Sequence, residues 1–275
     1  MHKTKKRFGQ HFLQDQDILQ AIVKKAELKD NEMVWEIGPG LGALTEYLLK
    51  HNIHLTIFEI DNDLMPALKK KYEGKCIIVH DDILRIDWKK YLEAITPNLN
   101  LCGGKGWKDM RRCGKIKIVT NLPYQISSPF LYKLTENHDS FTSIVVMLQK
   151  EVAKRLCAQP GKKDYGVLTL KIRFYFETEY LFNVSSDKFT PPPDVESAVI
   201  KLTPRADIPK IENINLFWKI VETAFKSRRK TLRNNLKALV GGNIDSPIDL
   251  SRRGETLNEE EFITLYDYML QFISR

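Results

Sequence analysis

The chain has 275 residues, 43% of them apolar and 28% charged, with a formal net charge of +8. That length accommodates one large domain and a small one, and the balance is that of a soluble globular protein. No apolar run is long enough to cross a bilayer, and Met1-His2-Lys3-Thr4-Lys5-Lys6-Arg7 is not followed by the apolar core of a secretory leader, so no membrane association and a cytoplasmic location are expected.

The cations cluster at Lys3 to Arg7, Lys105 to Lys117 and Lys226 to Lys237. Counterion release rewards several cations that face one phosphate backbone, so a polyanionic partner is expected. The four cysteines, Cys76, Cys102, Cys113 and Cys157, lack C-x-x-C spacing and read as reduced thiols, with no metal site.

In chain order, the basic and aromatic stretch Lys5 to Leu13 leads into a helix capped by Asp15, with Ile18, Leu19, Ile22 and Val23 on one face. The arm can lie on RNA, fold back as a lid, or stay a disordered leader. Met33 to Ile37 is a short buried strand, after which Gly38-Pro39-Gly40-Leu41-Gly42 turns the chain into a helix over about Leu44 to His51. Glycines there let the backbone approach a ligand closely, with helix N–H groups pointing at it. The next strand, Leu55 to Phe58, ends at Glu59, whose carboxylate can accept from both hydroxyls of a ribose. A third strand, Ile77 to His80, delivers Asp81-Asp82-Ile83. A carboxylate at that point can accept from an adenine amine while the Ile83 N–H meets a ring nitrogen; turn chemistry explains the two aspartates equally well.

Gly38-x-Gly40-x-x-Ala43 also satisfies the dinucleotide fingerprint, which keeps an NAD-linked dehydrogenase as an alternative. Two residues argue the other way. Pro39 removes an N–H that a pyrophosphate would need, and Glu36 sets a carboxylate beside the loop, which suits a cation. S-adenosylmethionine, with a sulfonium, an ammonium and no phosphate, fits.

From about Thr96 to Lys115 the turn residues read as a surface loop. Ile116 to Val119 is the fourth strand and delivers Asn121-Leu122-Pro123-Tyr124. A strand end that presents an amide, backbone carbonyls and a flat ring can hold a base carrying an exocyclic amine, although a Pro-containing turn reads the same in isolation. A helix over Gln125 to Leu134, an apolar strand over Ile144 to Leu148 and a helix over Gln149 to Leu156 follow. Leu168 to Phe176 reads as helix because Leu168, Ile172 and Tyr175 share a face. Strands at Phe182 to Val184 and Ser197 to Leu202 flank Phe189-Thr190-Pro191-Pro192-Pro193, whose prolines leave the Phe189 ring little freedom to do anything but face Tyr124 or fill the core. Pro204 to Pro209 mark a boundary before a helical tail, where Phe217, Val221, Ala224 and Phe225 form an apolar face and Asn258 and Glu261 stand at capping-box spacing.

Lys6-Arg7-Phe8-Gly9-Gln10-His11-Phe12-Leu13, Glu36 to Gly42, Asn121-Leu122-Pro123-Tyr124-Gln125-Ile126-Ser127, Phe189 to Pro193 through Ser197-Ala198-Val199, and Ala224 to Leu232 together resemble the small-subunit ribosomal RNA adenine N6,N6-dimethyltransferases. The resemblance spans nearly the whole chain, in the family's order. It implies an α/β, Rossmann-like class I S-adenosylmethionine-dependent methyltransferase domain over residues 1–205, with a mostly parallel seven-stranded sheet, and a helical RNA-positioning domain over residues 206–275. It also implies dimethylation of two adjacent adenines in the loop of the 3′-terminal helix of 16S rRNA, within an assembling 30S subunit. No dimer seam is visible, so a monomer is expected.

Carried over by position, the resemblance implies that Gln10 and His11 line the methionine end of the cofactor, with Leu13 in the same set. It places Gly38 and Gly40 in the glycine loop, Glu59 on the ribose and Asp82 with Ile83 on the adenine. Asn121 borders the cofactor and, with Leu122, Pro123 and Tyr124, holds the target base; Phe189 is the second stacking ring. The Asn121 oxygen and the Leu122 or Pro123 carbonyl are expected to accept the two amine hydrogens of the base. Lys5, Lys6 and Arg7, and Lys226, Arg228, Arg229, Lys230 and Arg233, read as RNA-facing cations. Two features depart from the family pattern: His11 stands where Asn is commoner, and the loop from Asn98 to Lys115 is longer than usual. An erythromycin-resistance type methylase acting on 23S rRNA, and a non-catalytic RNA-binding assembly factor, are the alternatives.

Overall fold

Strands buried on both faces read as continuous apolar runs, and such runs form the parallel part of the sheet in the computed structural model, which describes residues 11–95, 115–240 and 246–273. The chain divides into two units, Met1–Ala153 with Phe176–Pro204, and Lys154–Tyr175 with Arg205–Arg275.

In the first unit the order is β1 (Phe12–Leu13), α1 (Gln16–Ala26), β2 (Met33–Ile37), α2 (Ala43–Leu48), β3 (His54–Glu59), α3 (Met65–Tyr72), β4 (Ile77–His80) and α4 (Trp88–Ile95). Then come β5 (Ile116–Asn121), α5 (Ser127–Glu136), β6 (Phe141–Gln149) and the start of α6 (Lys150–Leu156). After α7 (Val167–Tyr175), the chain adds β7 (Phe176–Val184), β8 (Phe189–Thr190) and β9 (Ser197–Pro204). The seven-stranded sheet runs β4-β3-β2-β5-β6-β9-β7, parallel from β4 to β6, with β9 antiparallel to both its neighbours. This is the Rossmann-like, mostly parallel sheet that the motifs imply. A separate two-stranded ladder pairs Phe12 with Thr190 and Leu13 with Phe189.

Consecutive strands run outward in one direction from β2 and in the other from β5, so the order reverses between these two, and a crevice opens there at their carboxyl ends. The β2–β5 register runs from Met33↔Ile116 only as far as Trp35↔Ile118. Beyond it the Thr120 hydroxyl takes over, donating to the Ile37 carbonyl at 2.7 Å and accepting from the Ile37 N–H at 3.3 Å. The strands can therefore splay without leaving the Ile37 peptide groups unpaired.

The second unit combines α7 with α8 (Ile214–Ala224), α9 (Leu232–Val240) and α10 (Glu259–Ile273). Tyr165, Leu170 and Phe174 share one core with Phe217, Leu236, Phe262 and Met269. The chain passes into this unit after residue 153, returns to the first at 176 and leaves again after 204. The capping box holds as read, with Asn258 N donating to Glu261 Oε2 and Glu261 N to Asn258 Oδ1, both at 2.9 Å.

Helix ends differ modestly from the pattern: α2 begins at Ala43 and closes at Leu48, short of His51, and α5 begins at Ser127, after a 3₁₀ turn over Tyr124–Ile126. Among the described residues no helix is long and apolar enough to cross a membrane. Cys102, Cys113 and the loop from Thr96 to Gly114 lie outside the described residues.

Candidate active site

A cavity of about 310 Å³ opens at the carboxyl ends of β2, β3, β4 and β5. His11, Leu13, Gly38, Gly40, Glu59, Asp82, Ile83, Asn121, Leu122, Pro123, Tyr124 and Phe189, all expected from the sequence, line it together. Gln10, Lys5, Lys6 and Arg7 lie outside the described residues.

The glycine loop is tied down from both sides. Gly38 has φ 65° and a Cβ there would lie 2.8 Å from the Pro123 ring; Gly40 has φ 59° and a Cβ would lie 2.9 Å from the Phe12 ring. Both positions need left-handed backbone and both lack room for a side chain, so the loop packs directly on the motif that follows β5.

Carboxylates gather around this loop. Glu59, 6% exposed, accepts from Ile60 N at 2.9 Å and Asp61 N at 2.8 Å through Oε1, and from Gly40 N at 3.4 Å through Oε2. Burial nevertheless pushes its pKa up. Glu36, 2% exposed, takes a hydrogen bond from the Thr45 hydroxyl at 2.6 Å. Burial, reinforced by repulsion from Glu59, pushes its pKa up to about 8. The carboxylate expected beside the loop thus resists ionisation in the folded chain, because enclosure disfavours its charged form. A cation in the cavity would draw its proton off, so the group still suits a sulfonium or an ammonium. Asp82 Oδ1 accepts from Leu84 N at 2.9 Å, and the Asp82 carboxylate faces the Arg85 guanidinium at 3.5 Å.

The base-holding motif is built differently. Asn121 is the last residue of β5, half-buried, and among the described residues no hydrogen bond reaches its side-chain amide. The Leu122 N–H is anchored to the Met147 carbonyl at 3.3 Å, and the Pro123 carbonyl accepts from Ile126 N at 3.1 Å. Of the two carbonyls expected to receive an amine hydrogen, Leu122's is therefore the better placed, since Pro123's already closes the 3₁₀ turn. The Tyr124 hydroxyl shares a very short hydrogen bond with the Ser197 hydroxyl on β9, and burial pushes the Tyr124 pKa up. Ser197 therefore fixes the ring's orientation. The motif Ser197-Ala198-Val199 was visible in the sequence; its tie to a residue 73 positions away was not.

Phe189 is 3% exposed and packs in the core cluster with Leu13 and Val199. The ring that lies against Tyr124 is that of His11, with centroids 6.1 Å apart and planes 27° from parallel. His11 Nδ1 donates to the Pro191 carbonyl at 2.8 Å.

In the second unit Lys226, Arg228, Arg229, Lys230 and Arg233 are all exposed, but Arg228 Nε is paired with Glu255 at 2.7 Å. Lys117, counted among the clustered cations, is buried against Glu32 at 2.8 Å and the Glu27 carbonyl at 2.6 Å, so it braces β5 instead of meeting phosphate.

Comparison with known proteins identifies the family. The family profile described as ribosomal RNA adenine dimethylase matches residues 1–271. The ribosomal RNA small subunit methyltransferase A of Syntrophotalea carbinolica is 38% identical over 270 residues, covering 95% of each chain. The Geobacillus sp. protein of the same name is 41% identical over 276 residues, covering 95% of this chain and 90% of its own. Among solved structures, a dimethyladenosine transferase from Plasmodium falciparum superposes with a TM-score of 0.74 at 25% identity, covering 95% of this chain and 98% of that one. The chain belongs to the ribosomal RNA adenine dimethylase family and is an S-adenosylmethionine-dependent methyltransferase of adenine in ribosomal RNA.

Proposed function

We propose that this protein, acting as a cytoplasmic monomer, dimethylates the N6 amines of two adjacent adenosines in the loop of the 3′-terminal helix of 16S rRNA, within the 30S subunit or its precursor. The observation that carries this reading is the Asn121 amide, half-buried on the cavity wall with no internal partner among the described residues. The names carried by its relatives in Syntrophotalea carbinolica and Geobacillus sp. favour the small subunit.

The cavity fits S-adenosylmethionine. Gly38 and Gly40 let the backbone approach it, and Glu59 offers Oε2 to a ribose hydroxyl. Asp82 and Ile83 face the adenine, and Glu36 lies near enough to the loop to answer a positive charge. When bound, the cofactor supplies a methyl group already activated by positive sulfur.

The chain supplies the rest. Adenine's amine is a weak nucleophile because its lone pair is spread into the ring. In the first transfer the Asn121 oxygen and the Leu122 carbonyl accept its two N–H groups, drawing the nitrogen toward tetrahedral geometry and freeing the lone pair; in the second, one N–H remains to be accepted, and each transfer releases one amine proton to solvent. Tyr124, held by Ser197, stacks on the base and excludes water. His11 and Phe189 close the pocket beside it. Lys226, Arg229, Lys230 and Arg233, with the basic arm Lys5 to Arg7, receive phosphates.

Purified 30S and 50S particles incubated separately with the protein and S-adenosylmethionine, followed by mass spectrometry of the nucleosides, test the whole reading. N6,N6-dimethyladenosine in 30S RNA alone is the expected result. Methylation of 50S RNA alone would transfer the assignment to the large subunit, and no methylation of either would leave a binding role only.

A further inference from the structure

Lys133, on α5, is bonded in a way that packing alone does not require. Its Nζ donates to the Leu84 carbonyl at 2.7 Å and to the Ile86 carbonyl, and it stands 5.0 Å from the centre of the Trp88 ring. An ammonium drawn partly out of water needs such compensation, and its burial lowers the Lys133 pKa. Trp88 is 1% exposed, and its indole N–H donates to the Ile83 carbonyl at 2.9 Å.

The Ile83–Leu84 peptide is the point where these contacts converge. Its carbonyl takes the Trp88 indole, while its N–H, that of Leu84, donates to Asp82 Oδ1 at 2.9 Å. A peptide unit is planar, so fixing the carbonyl fixes the N–H, and with it the carboxylate that the N–H holds. The same turn is closed from within by Arg85 N and Ile86 N, which donate to the Asp82 carbonyl at 2.8 and 3.2 Å. Lys133 clamps it from outside through the next two accepting carbonyls. Asp82 and Ile83 both reach the cavity wall; Lys133 and Trp88 do not.

We propose that Lys133 and Trp88 are positioning residues that aim the Asp82 carboxylate and the Ile83 N–H at the adenine of the cofactor. This inference rests on the placement of Asp82 given under the proposed function. It also links two halves of the site. The chain enters α5 directly from Tyr124, so one helix follows the base-holding motif and clamps the turn at the cofactor's adenine.

Calorimetry on the full chain with S-adenosylhomocysteine and with its inosine counterpart, which carries a carbonyl in place of the adenine amine, tests this. The parent protein should prefer the adenine compound by roughly ten-fold or more, the worth of a hydrogen bond to a charged acceptor. Lys133→Met keeps the aliphatic stem over Trp88 but has no donors; it should weaken S-adenosylhomocysteine binding roughly ten-fold and shrink that preference. Lys133→Arg, which keeps donors, should restore most of both. A lysine that merely supports the fold would lower the thermal midpoint without altering the ratio of the two affinities.

A parental preference retained in Lys133→Met would overturn the positioning role while leaving Asp82 in place. No preference in the parent would instead remove Asp82 from the adenine, and the positioning role with it. Should Lys133→Met fail to fold, Trp88→Phe carries the same comparison, because it removes the indole donor and keeps a smaller aromatic ring in its place; an undiminished preference there overturns the proposal equally.

Discussion

The two ends of the cavity treat their polar atoms in opposite ways. At the glycine-loop end, Glu59 accepts three backbone N–H groups, Glu36 takes the Thr45 hydroxyl, and Asp82 takes the Leu84 N–H. At the other end, the Asn121 amide has no internal hydrogen bond among the described residues and the Leu122 carbonyl is the uncommitted one of two. Groups already held in place lose little freedom when a cofactor arrives, which favours tight binding. Acceptors left open reserve their hydrogen bonds for the reacting amine, where bonds that strengthen in the transition state lower the barrier. Binding and chemistry are thus separable by substitution.

The sharpest separation is expected at Asn121. Asn121→Ala should lower methyl transfer by roughly 100-fold or more, as removal of a preorganised polar group at a reacting centre does, while calorimetric affinity for S-adenosylhomocysteine changes little. Near-parental turnover would break the comparison at its centre. Tyr124→Ala comes next, costing about 1 to 3 kcal/mol of base engagement. Ser197→Ala, which only frees the ring to turn, should cost about 1 kcal/mol. Both losses are read in kcat/KM for 30S particles, and a Ser197 variant as damaged as the Tyr124 variant would mean that orientation matters more than stacking.

At the opposite end the effect is graded by pH. Glu36 holds its proton up to about 8 in the folded chain, against an ordinary carboxyl value of 4.5 when unfolded. The folded state therefore binds more protons between those values, and stability falls as pH rises through that window. Glu36→Gln should remove this slope, so its thermal midpoint should gain on the parent from pH 5 to pH 8 in denaturation scans. A parallel pH dependence in the two proteins would show that Glu36 ionises freely. The smallest effect is expected among the cations of the helical unit: Lys230→Glu should reduce the salt slope of RNA binding by about one phosphate contact, and Arg228→Glu by less, because Glu255 already faces it. Equal changes would mean that Arg228 leaves Glu255 for phosphate.

The strand ends that matter were legible because parallel strands covered on both faces announce themselves as apolar runs, and Ile37, Glu59 and Asn121 each close one. Strand β7 was not: the pattern marks only Phe182 to Val184, since Glu177, Thr178 and Glu179 alternate on a sheet edge whose pairing with β9 slips between Tyr180 and Phe182. The ring beside Tyr124 is not legible in the sequence for a related reason. A proline-stiffened Phe189 fits a clamp or a core equally well by sequence, and the ladder between β1 and β8 is what draws it inward and brings His11 up to the ring. Hydroxyl and ammonium ties such as Thr120 to Ile37 and Lys133 to Leu84 span 83 and 49 positions and leave no local signature.

The helical unit draws its core from two stretches of chain, with Tyr165, Leu170 and Phe174 buried by Phe262, Leu265 and Met269. As the polypeptide emerges from its own ribosome, the earlier three must wait about ninety residues for the later three. Over that interval their apolar surface has no native cover from the last helix, and a chain that stops at residue 205 would never provide it. The order of synthesis makes α10 the element that closes this core.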